Sequence, residues 1–230
     1  MNTLLITGAN RGIGLEFAKQ FHSKGWKVFG TSRSLSNAKK LMDIISNENV
    51  LVLDVSQQDQ LKAVKDQLYK RNIILNCLIN NAGIMTDRVG IEKVSQDDMV
   101  QAFRVNSAGP VMLVHNLLPI FDSGCKIVNI SSLKGSINDN TSGGYYSYRM
   151  SKAALNMAVR SMSMDLEKKN IAVYALHPGW VRTRMGSAIA PVSKKRSVNG
   201  MIDVIDQLSI SDTGKFYNFK RQRTGKIISL

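Results

Sequence analysis

Acidic residues are scarce in this chain. Seventeen Asp and Glu stand against 31 Lys and Arg in 230 residues, for a formal net charge of +14. A surplus of that size raises nucleic acid as a partner, because backbone phosphates are held by Lys and Arg. The basic residues, however, are spread along the chain, and no nucleic-acid motif or basic strip interleaved with aromatics accompanies them. The expectation is a basic protein that takes an anionic small molecule, with nucleic acid ranked below it as a partner. Cysteine is scarcer still. Cys77 and Cys125 make no disulfide framework, and no Cys/His spacing suits zinc, so both read as buried free thiols and no metal is expected. Apolar runs of membrane-spanning length are absent. Met1 to Gly8 lacks a basic leader and a cleavage site, so it reads as a first strand and the chain as cytoplasmic. With no repeat, low-complexity tract or linker, residues 1–230 read as one domain.

What is present is alternation. Short apolar runs at Leu4–Thr7, Trp26–Ser32, Val50–Val55, Leu75–Gly83, Cys125–Ser131, Ile171–Leu176 and Gly214–Phe219 read as strands. Between them, helical patterns cover Leu15–Gly25, Leu35–Ser46, Leu61–Arg71, Tyr145–Lys169 and Ser193–Leu208. A further long helix over Gln96–Phe121 is interrupted at Ala108-Gly109-Pro110. Strand–helix alternation predicts an α/β fold: a doubly wound parallel sheet of about seven strands with helices on both faces.

The first strand runs into Gly8-Ala9-Asn10-Arg11-Gly12-Ile13-Gly14 and then a helix. Glycines there let the backbone approach a pyrophosphate closely, and the helix N-terminus offers it free N–H groups, so this element reads as a dinucleotide cradle. After the second strand an NAD site usually places an acid for the ribose hydroxyls. Here the stretch is Thr31-Ser32-Arg33-Ser34. Arg33 and Arg11 suit a 2′-phosphate, so NADP(H) is favoured over NAD(H). Asp54, closing the third strand, either accepts from an adenine amino group or caps the helix that begins near Gln57. The fourth strand ends in Asn80-Asn81-Ala82-Gly83, whose amides can satisfy neighbouring backbone and leave Gly83 beside a cofactor.

Tyr148 and Lys152 stand four residues apart on one helix face. A free phenol is a poor proton donor at neutral pH, and an adjacent ammonium favours its phenolate, which makes the pair a candidate general acid/base. Tyr145 stands seven residues before Lys152, an alternative spacing on roughly the same face. His22, His115 and His177 read as surface, packing or turn residues. Met157, Met162 and Met164 read as core or helix-pairing surface. Met85, Trp180 and Met185 lie beside the motifs and suit an apolar pocket.

Taken in order, Thr7-Gly8-x3-Gly12-x-Gly14, Asp54, Asn80-Asn81-Ala82-Gly83, Asn106, Ser132, Tyr148-x3-Lys152 and Pro178-Gly179-x3-Thr183 make the chain resemble the short-chain dehydrogenase/reductase family. The Gly135–Tyr146 segment, His177-Pro178-Gly179-Trp180-Val181 and Asp212-Thr213-Gly214-Lys215-Phe216 resemble its C-factor and sniffer-like carbonyl reductase branch. The resemblance implies a Rossmann fold and NADPH-dependent reduction of a ketone or aldehyde to an alcohol. It implies Tyr148 as proton donor, Ser132 as hydrogen-bond donor to the substrate oxygen, and Lys152 on the nicotinamide ribose. Asn106 would hold a water that links Lys152 to solvent. The dinucleotide would be held by Gly8, Asn10, Arg11, Gly12, Ile13, Gly14, Arg33, Asp54, Val55, Asn81, Ala82, Gly83, Tyr148, Lys152, Pro178, Gly179, Val181 and Thr183. A homodimer through the two long helices is also implied, and a C-factor-like signalling protein with little turnover is the alternative. Lys134 stands where relatives often place an apolar residue, and Lys220-Arg221-Gln222-Arg223-Thr224-Gly225-Lys226 replaces an expected short turn.

Overall fold

Alternation along the first strand sets the plan of the molecule. In β1 (Thr3–Ile6), Leu4 and Ile6 enter one apolar cluster and Leu5 enters another, on opposite faces of the sheet. The computed structural model describes residues 1–220; the basic stretch beyond Lys220 lies outside them. β1 is joined by β2 (Lys27–Ser32), β3 (Val50–Val52), β4 (Leu75–Asn80), β5 (Phe121–Ile130), β6 (Ala172–His177) and β7 (Phe216–Asn218). The strand order is β3-β2-β1-β4-β5-β6-β7, and every pairing is parallel. This is the doubly wound parallel sheet expected from the alternation, with seven strands and the Rossmann order that the family resemblance implies.

A parallel sheet needs cover on both faces. Helices α1 (Gly12–Ser23), α2 (Lys39–Met42) and α7 (Lys194–Gln207) pack Phe17, Phe21, Leu41, Val198 and Met201 against one face. Helices α3 (Gln58–Lys70), α5 (Gly109–Leu117) and α6 (Tyr146–Glu167) pack Leu61, Val64, Leu68, Leu113 and Val159 on the other. Helix α4 (Gln96–Phe103) leans on α6. Cys77 and Cys125 are buried free thiols within these layers, and burial pushes the Cys77 pKa up to about 12.

Four local expectations are corrected. Leu35–Ser46 is not one helix: a single turn at Leu35–Asn37 precedes the four residues of α2. There Ser34, Ser36 and Asn37 hydrogen-bond one another, which competes with the helical ladder. The helix expected over Gln96–Phe121 is three pieces. A widened π-type turn, Arg104–Ala108, separates α4 from α5, and a tight turn at Leu118–Ile120 ends it. The fifth strand starts at Phe121 instead of Cys125, because Phe121 pairs with Leu75 across a bulge. Finally, α6 starts at Tyr146. Tyr145 precedes it in the left-handed region (φ 57°), after two left-handed glycines, Gly143 and Gly144.

Candidate active site

The sheet order reverses between β1 and β4, and in such sheets the crevice beyond the strand ends at that point takes the ligand. Thr7 and Asn81 fasten the two loops that flank it. Thr7 Oγ1 accepts from the N–H groups of Asn81 and Ala82, both at 3.0 Å, and Asn81 Nδ2 donates to the carbonyls of Thr7 (2.9 Å) and Gly8 (3.1 Å). Gly8 and Gly12 take left-handed φ values of 63° and 61°. At Gly14 a Cβ would collide with the Gly8 carbonyl oxygen and the Asn81 amide, so only glycine lets α1 start so close to β4. Thr31, whose hydroxyl accepts from the Gly8 N–H at 3.1 Å, carried no signal in the spacing. Asn10 donates to the Asn37 carbonyl at 3.2 Å and so ties the loop to the turn that follows β2.

At that end of the sheet, Arg33 and Arg11 are both exposed. The Arg11 pKa lies below the ordinary guanidinium range, first through burial and then through the positive charges of Arg184 and Arg33. The cationic cluster therefore has a third member, Arg184, that the sequence did not single out. Beside Arg33, the Ser32 hydroxyl is buried without a hydrogen-bond partner among the described residues. Asp54 does not cap α3. Its Oδ1 accepts from the Ser56 N–H (3.0 Å) and hydroxyl (2.7 Å), closing a turn before the helix. Val55 is buried, and its carbonyl lies against Gly109.

On the β4–β6 side an open cavity of about 490 Å³ is lined by Ile13, Ser132, Tyr148, Pro178, Gly179, Val181 and Thr183, all named from the sequence. Met85, Tyr145, Trp180 and Met185 complete an apolar wall, and Arg88 and Lys134 add two cations. His177 closes β6 at the cavity floor, where burial pushes its imidazole down to about 4. Of the two serines ending β5, Ser131 is committed: its hydroxyl donates to Asn156 Oδ1 at 2.6 Å. Ser132 keeps its hydroxyl at the cavity beside Tyr148, where it accepts the Lys134 N–H at 3.2 Å.

Lys152 and Asn106 are behind the cavity wall. Lys152 Nζ is buried and donates to the Ile130 carbonyl at 2.8 Å, 5.9 Å from the Tyr148 ring centroid. Asn106 is fully buried in the π-type turn. Its amide accepts from the Ile84 N–H (2.8 Å) and donates to the Ile84 carbonyl and the Ser151 hydroxyl (both 2.9 Å). Gly83 links the two: a Cβ there would lie 3.1 Å from Asn106 Oδ1 and 3.8 Å from Lys152 Nζ. One electrostatic expectation changes. Burial raises the Tyr148 pKa, and the opposing influence is the adjacent Ser132 hydroxyl instead of the lysine. Burial also pushes the Lys152 ammonium down to about 8, so the pair shares a desolvated site and no direct contact joins the two groups.

The comparisons with known proteins fall on this arrangement. A family model described as short chain dehydrogenase matches residues 2–193. The chain is 42% identical over 148 residues to C-signal of Myxococcus xanthus, covering 64% of this chain and 89% of the relative. It is 31% identical over 221 residues to 1-hydroxy-2-glutathionyl-2-methyl-3-butene dehydrogenase of Rhodococcus sp. (strain AD45), covering 94% and 96%. Among solved structures, the carbonyl reductase Sniffer of D. melanogaster superposes with a TM-score of 0.89 at 34% identity, covering 95% and 97% of the two chains. The NADPH-bound carbonyl reductase from chicken fatty liver does so at 0.90 and 34%, covering 100% and 99%. With the strand order, the glycine turn at the switch point and the family match in agreement, the chain belongs to the short-chain dehydrogenase/reductase family of oxidoreductases, in the branch of carbonyl reductases and C-factor-like proteins.

Proposed function

We propose that this protein is an NADP(H)-dependent carbonyl reductase that converts a ketone or aldehyde to an alcohol. The observation that carries the reading is the buried Tyr148 phenol beside the Ser132 hydroxyl on the wall of an open 490 Å³ cavity, with Lys152 buried behind them. The crevice suits a dinucleotide: left-handed Gly8 and Gly12 turn the chain into the N-terminus of α1, and among the described residues the buried Ser32 hydroxyl beside Arg33 has no hydrogen-bond partner. Gly8 to Gly14 and the α1 N-terminus would hold the pyrophosphate, and Asp54, Val55, Asn81 and Ala82 the adenine-to-ribose stretch. Pro178, Gly179, Val181 and Thr183 would meet the nicotinamide end. NADP(H), when bound, supplies or accepts the hydride. Tyr148 gives its proton to the carbonyl oxygen, whose developing charge Ser132 stabilises by donating a hydrogen bond. Lys152 would hold the nicotinamide ribose, and the Ser132 hydroxyl, which opposes the effect of burial on Tyr148, favours the phenolate left after proton transfer. Asn106, in the widened turn, would hold through its backbone carbonyl a water that links Lys152 to solvent and resupplies that proton. Arg33 and Arg11 support NADP(H) over NAD(H).

Two substitutions test this. Tyr148→Phe lowers NADPH-dependent turnover of a panel of ketones and aldehydes by about a thousandfold or more, while NADPH binding stays within about twofold. Undiminished turnover sinks the assignment. Arg33→Asp lowers NADPH affinity by about tenfold or more relative to NADH, as loss of one charge-assisted phosphate contact requires. An unchanged preference refutes the 2′-phosphate argument.

The likeness to C-signal favours a second reading, a dinucleotide-binding signalling protein with little turnover. It is preferred only if the wild-type protein binds NADPH and the whole carbonyl panel goes unreduced. In either reading we propose a homodimer formed through the exposed faces of α4 and α6.

A further inference from the structure

The outer wall of the cavity carries positive charge that no ion pair among the described residues neutralises. Lys134 and Arg88 both line it, and Arg149 lies close behind Lys134. Among the described residues the ion pairs are Lys24–Asp206, Lys65–Asp66 and Lys215–Asp212, none of which involves these three cations. Arg149 is committed to structure: it donates to the Gly144 carbonyl (3.0 Å), the Ser142 hydroxyl (2.9 Å) and the Gly143 carbonyl (3.2 Å), pinning the left-handed turn that presents Tyr145. Arg88 donates one nitrogen to the Met185 carbonyl at 2.8 Å, which ties two walls of the cavity together and leaves the rest of its fork available.

Lys134 is the least satisfied of the three. Its ammonium sits 3.7 Å from the centre of the Tyr145 ring, and among the described residues it has no hydrogen-bond acceptor. It is no freely solvated lysine: burial, then Arg149 and Arg88, hold its pKa below the ordinary range. Two acids lie in the neighbourhood. Asp87 is buried and spends one oxygen on the Ser147 N–H at 3.2 Å, and exposed Asp139 acts on His177. Neither is ion-paired to Lys134 among the described residues, and the charges that lower its pKa are those of Arg149 and Arg88.

A partly desolvated ammonium held on a ring face, with a guanidinium nearby, is an arrangement that an anion completes. Lys134 also lies on the same tight turn as Ser132, with its N–H on the Ser132 hydroxyl. An anion on Lys134 and a carbonyl on Ser132 and Tyr148 therefore share one cavity, where a single molecule can carry both. We propose that the substrate is a carbonyl compound bearing a carboxylate, which Lys134 and Arg88 receive while Ser132 and Tyr148 receive the carbonyl oxygen. The apolar wall of Met85, Trp180 and Met185 takes the hydrocarbon between the two groups. This proposal rests on the carbonyl reductase reading and adds the substrate class to it.

The test compares 4-carboxybenzaldehyde with its neutral methyl ester, with NADPH consumption as the readout. Wild-type protein favours the carboxylate in kcat/KM by about tenfold to a hundredfold, the value of one charge-assisted contact. Lys134→Met reduces that ratio by about tenfold, and Lys134→Arg, which keeps the charge, preserves it. A binding arm separates this proposal from the reading beneath it. Benzoate and benzamide are titrated into NADP-loaded protein by calorimetry, and benzoate binds at least about tenfold more tightly, with the advantage lost in Lys134→Met. If the ester is reduced as well as the acid, the carboxylate proposal falls and carbonyl reduction stands. If neither aldehyde is reduced but benzoate still binds preferentially through Lys134, the anion site stands and carbonyl reduction falls. Equal binding of benzoate and benzamide overturns the anion site whatever the turnover.

Discussion

Lys152 brings an ammonium into a place where the structure offers it one carbonyl, that of Ile130, and little water. Spacing to Tyr148 made the residue legible in the sequence, but not the sign of the electrostatics, which depends on how deeply both groups are buried. The titration of the lysine is where that burial can be measured. Its pKa falls from the ordinary 10.5 to about 8, so between those limits the unfolded chain holds a proton that the folded chain has released. Stability rises with pH wherever the unfolded state binds more protons. The penalty for burying the charged lysine is therefore full below about pH 8 and is relieved as pH rises toward 10.5. Buried tyrosines and thiols titrate in the opposite sense, so the quantity to follow is the difference between wild type and Lys152→Met in urea unfolding. Wild type should gain roughly 3 kcal/mol on the variant across that window. A difference that is flat with pH would mean the folded lysine titrates as a solvated one. At this same scale, Arg88, Arg184 and Thr31 escaped the sequence reading because each acts through a partner distant in the chain: the Met185 carbonyl, the charge of Arg11 and the Gly8 N–H.

The elements that read most clearly were those whose hydrophobic period is undisturbed, α6 and β6 above all, where the bounds shift by a residue or two. Those that read poorly have a competing local hydrogen bond. The Ser34-Ser36-Asn37 set dissolves a helix, and Asn106 widens another. In the π-type turn at Arg104–Ala108 the Asn106 amide works as a backbone splint, pairing both the N–H and the carbonyl of Ile84 and reaching Ser151 on α6. Such turns often mark functional sites, and this one joins α4, the Gly83–Ile84 loop and the helix that carries Tyr148 and Lys152. Asn106→Ala strips partners from two backbone groups and a hydroxyl, so it costs about 2–4 kcal/mol of unfolding free energy. It should also lower turnover without abolishing NADPH binding. Unfolding in urea measures the first effect, and a variant as stable as wild type would show that the Ile84 backbone finds other partners.

Across the whole molecule, the parallel sheet with helices on both faces was legible in the alternation, whereas the order β3-β2-β1-β4-β5-β6-β7 was not, because it depends on which strands pair; the glycine turn lies at its switch point. The assembly is a different matter, since an apolar stripe on a long helix reads equally as core or as interface until the fold shows which face is covered. Helix α6 buries Leu155, Val159, Met162 and Leu166 against the sheet and leaves Met150, Met157 and Met164 exposed, spaced by two helical turns along the opposite face. Val100 and Phe103 are exposed on the neighbouring α4, and a hollow of about 250 Å³ between the helices is lined by Phe103, Val111, Met112, Ala154 and Ala158. Apolar side chains gathered on one face around a groove are what a second copy of the same helices would cover, with two-fold symmetry placing each stripe on the other. Sedimentation velocity should then find a dimer. Phe103→Glu with Met157→Glu, which sets four carboxylates into the shared face, should yield a monomer that still binds NADPH, because neither residue approaches the crevice at the switch point. A wild-type monomer at the highest soluble concentration would remove the dimer and leave the stripe as exposed surface.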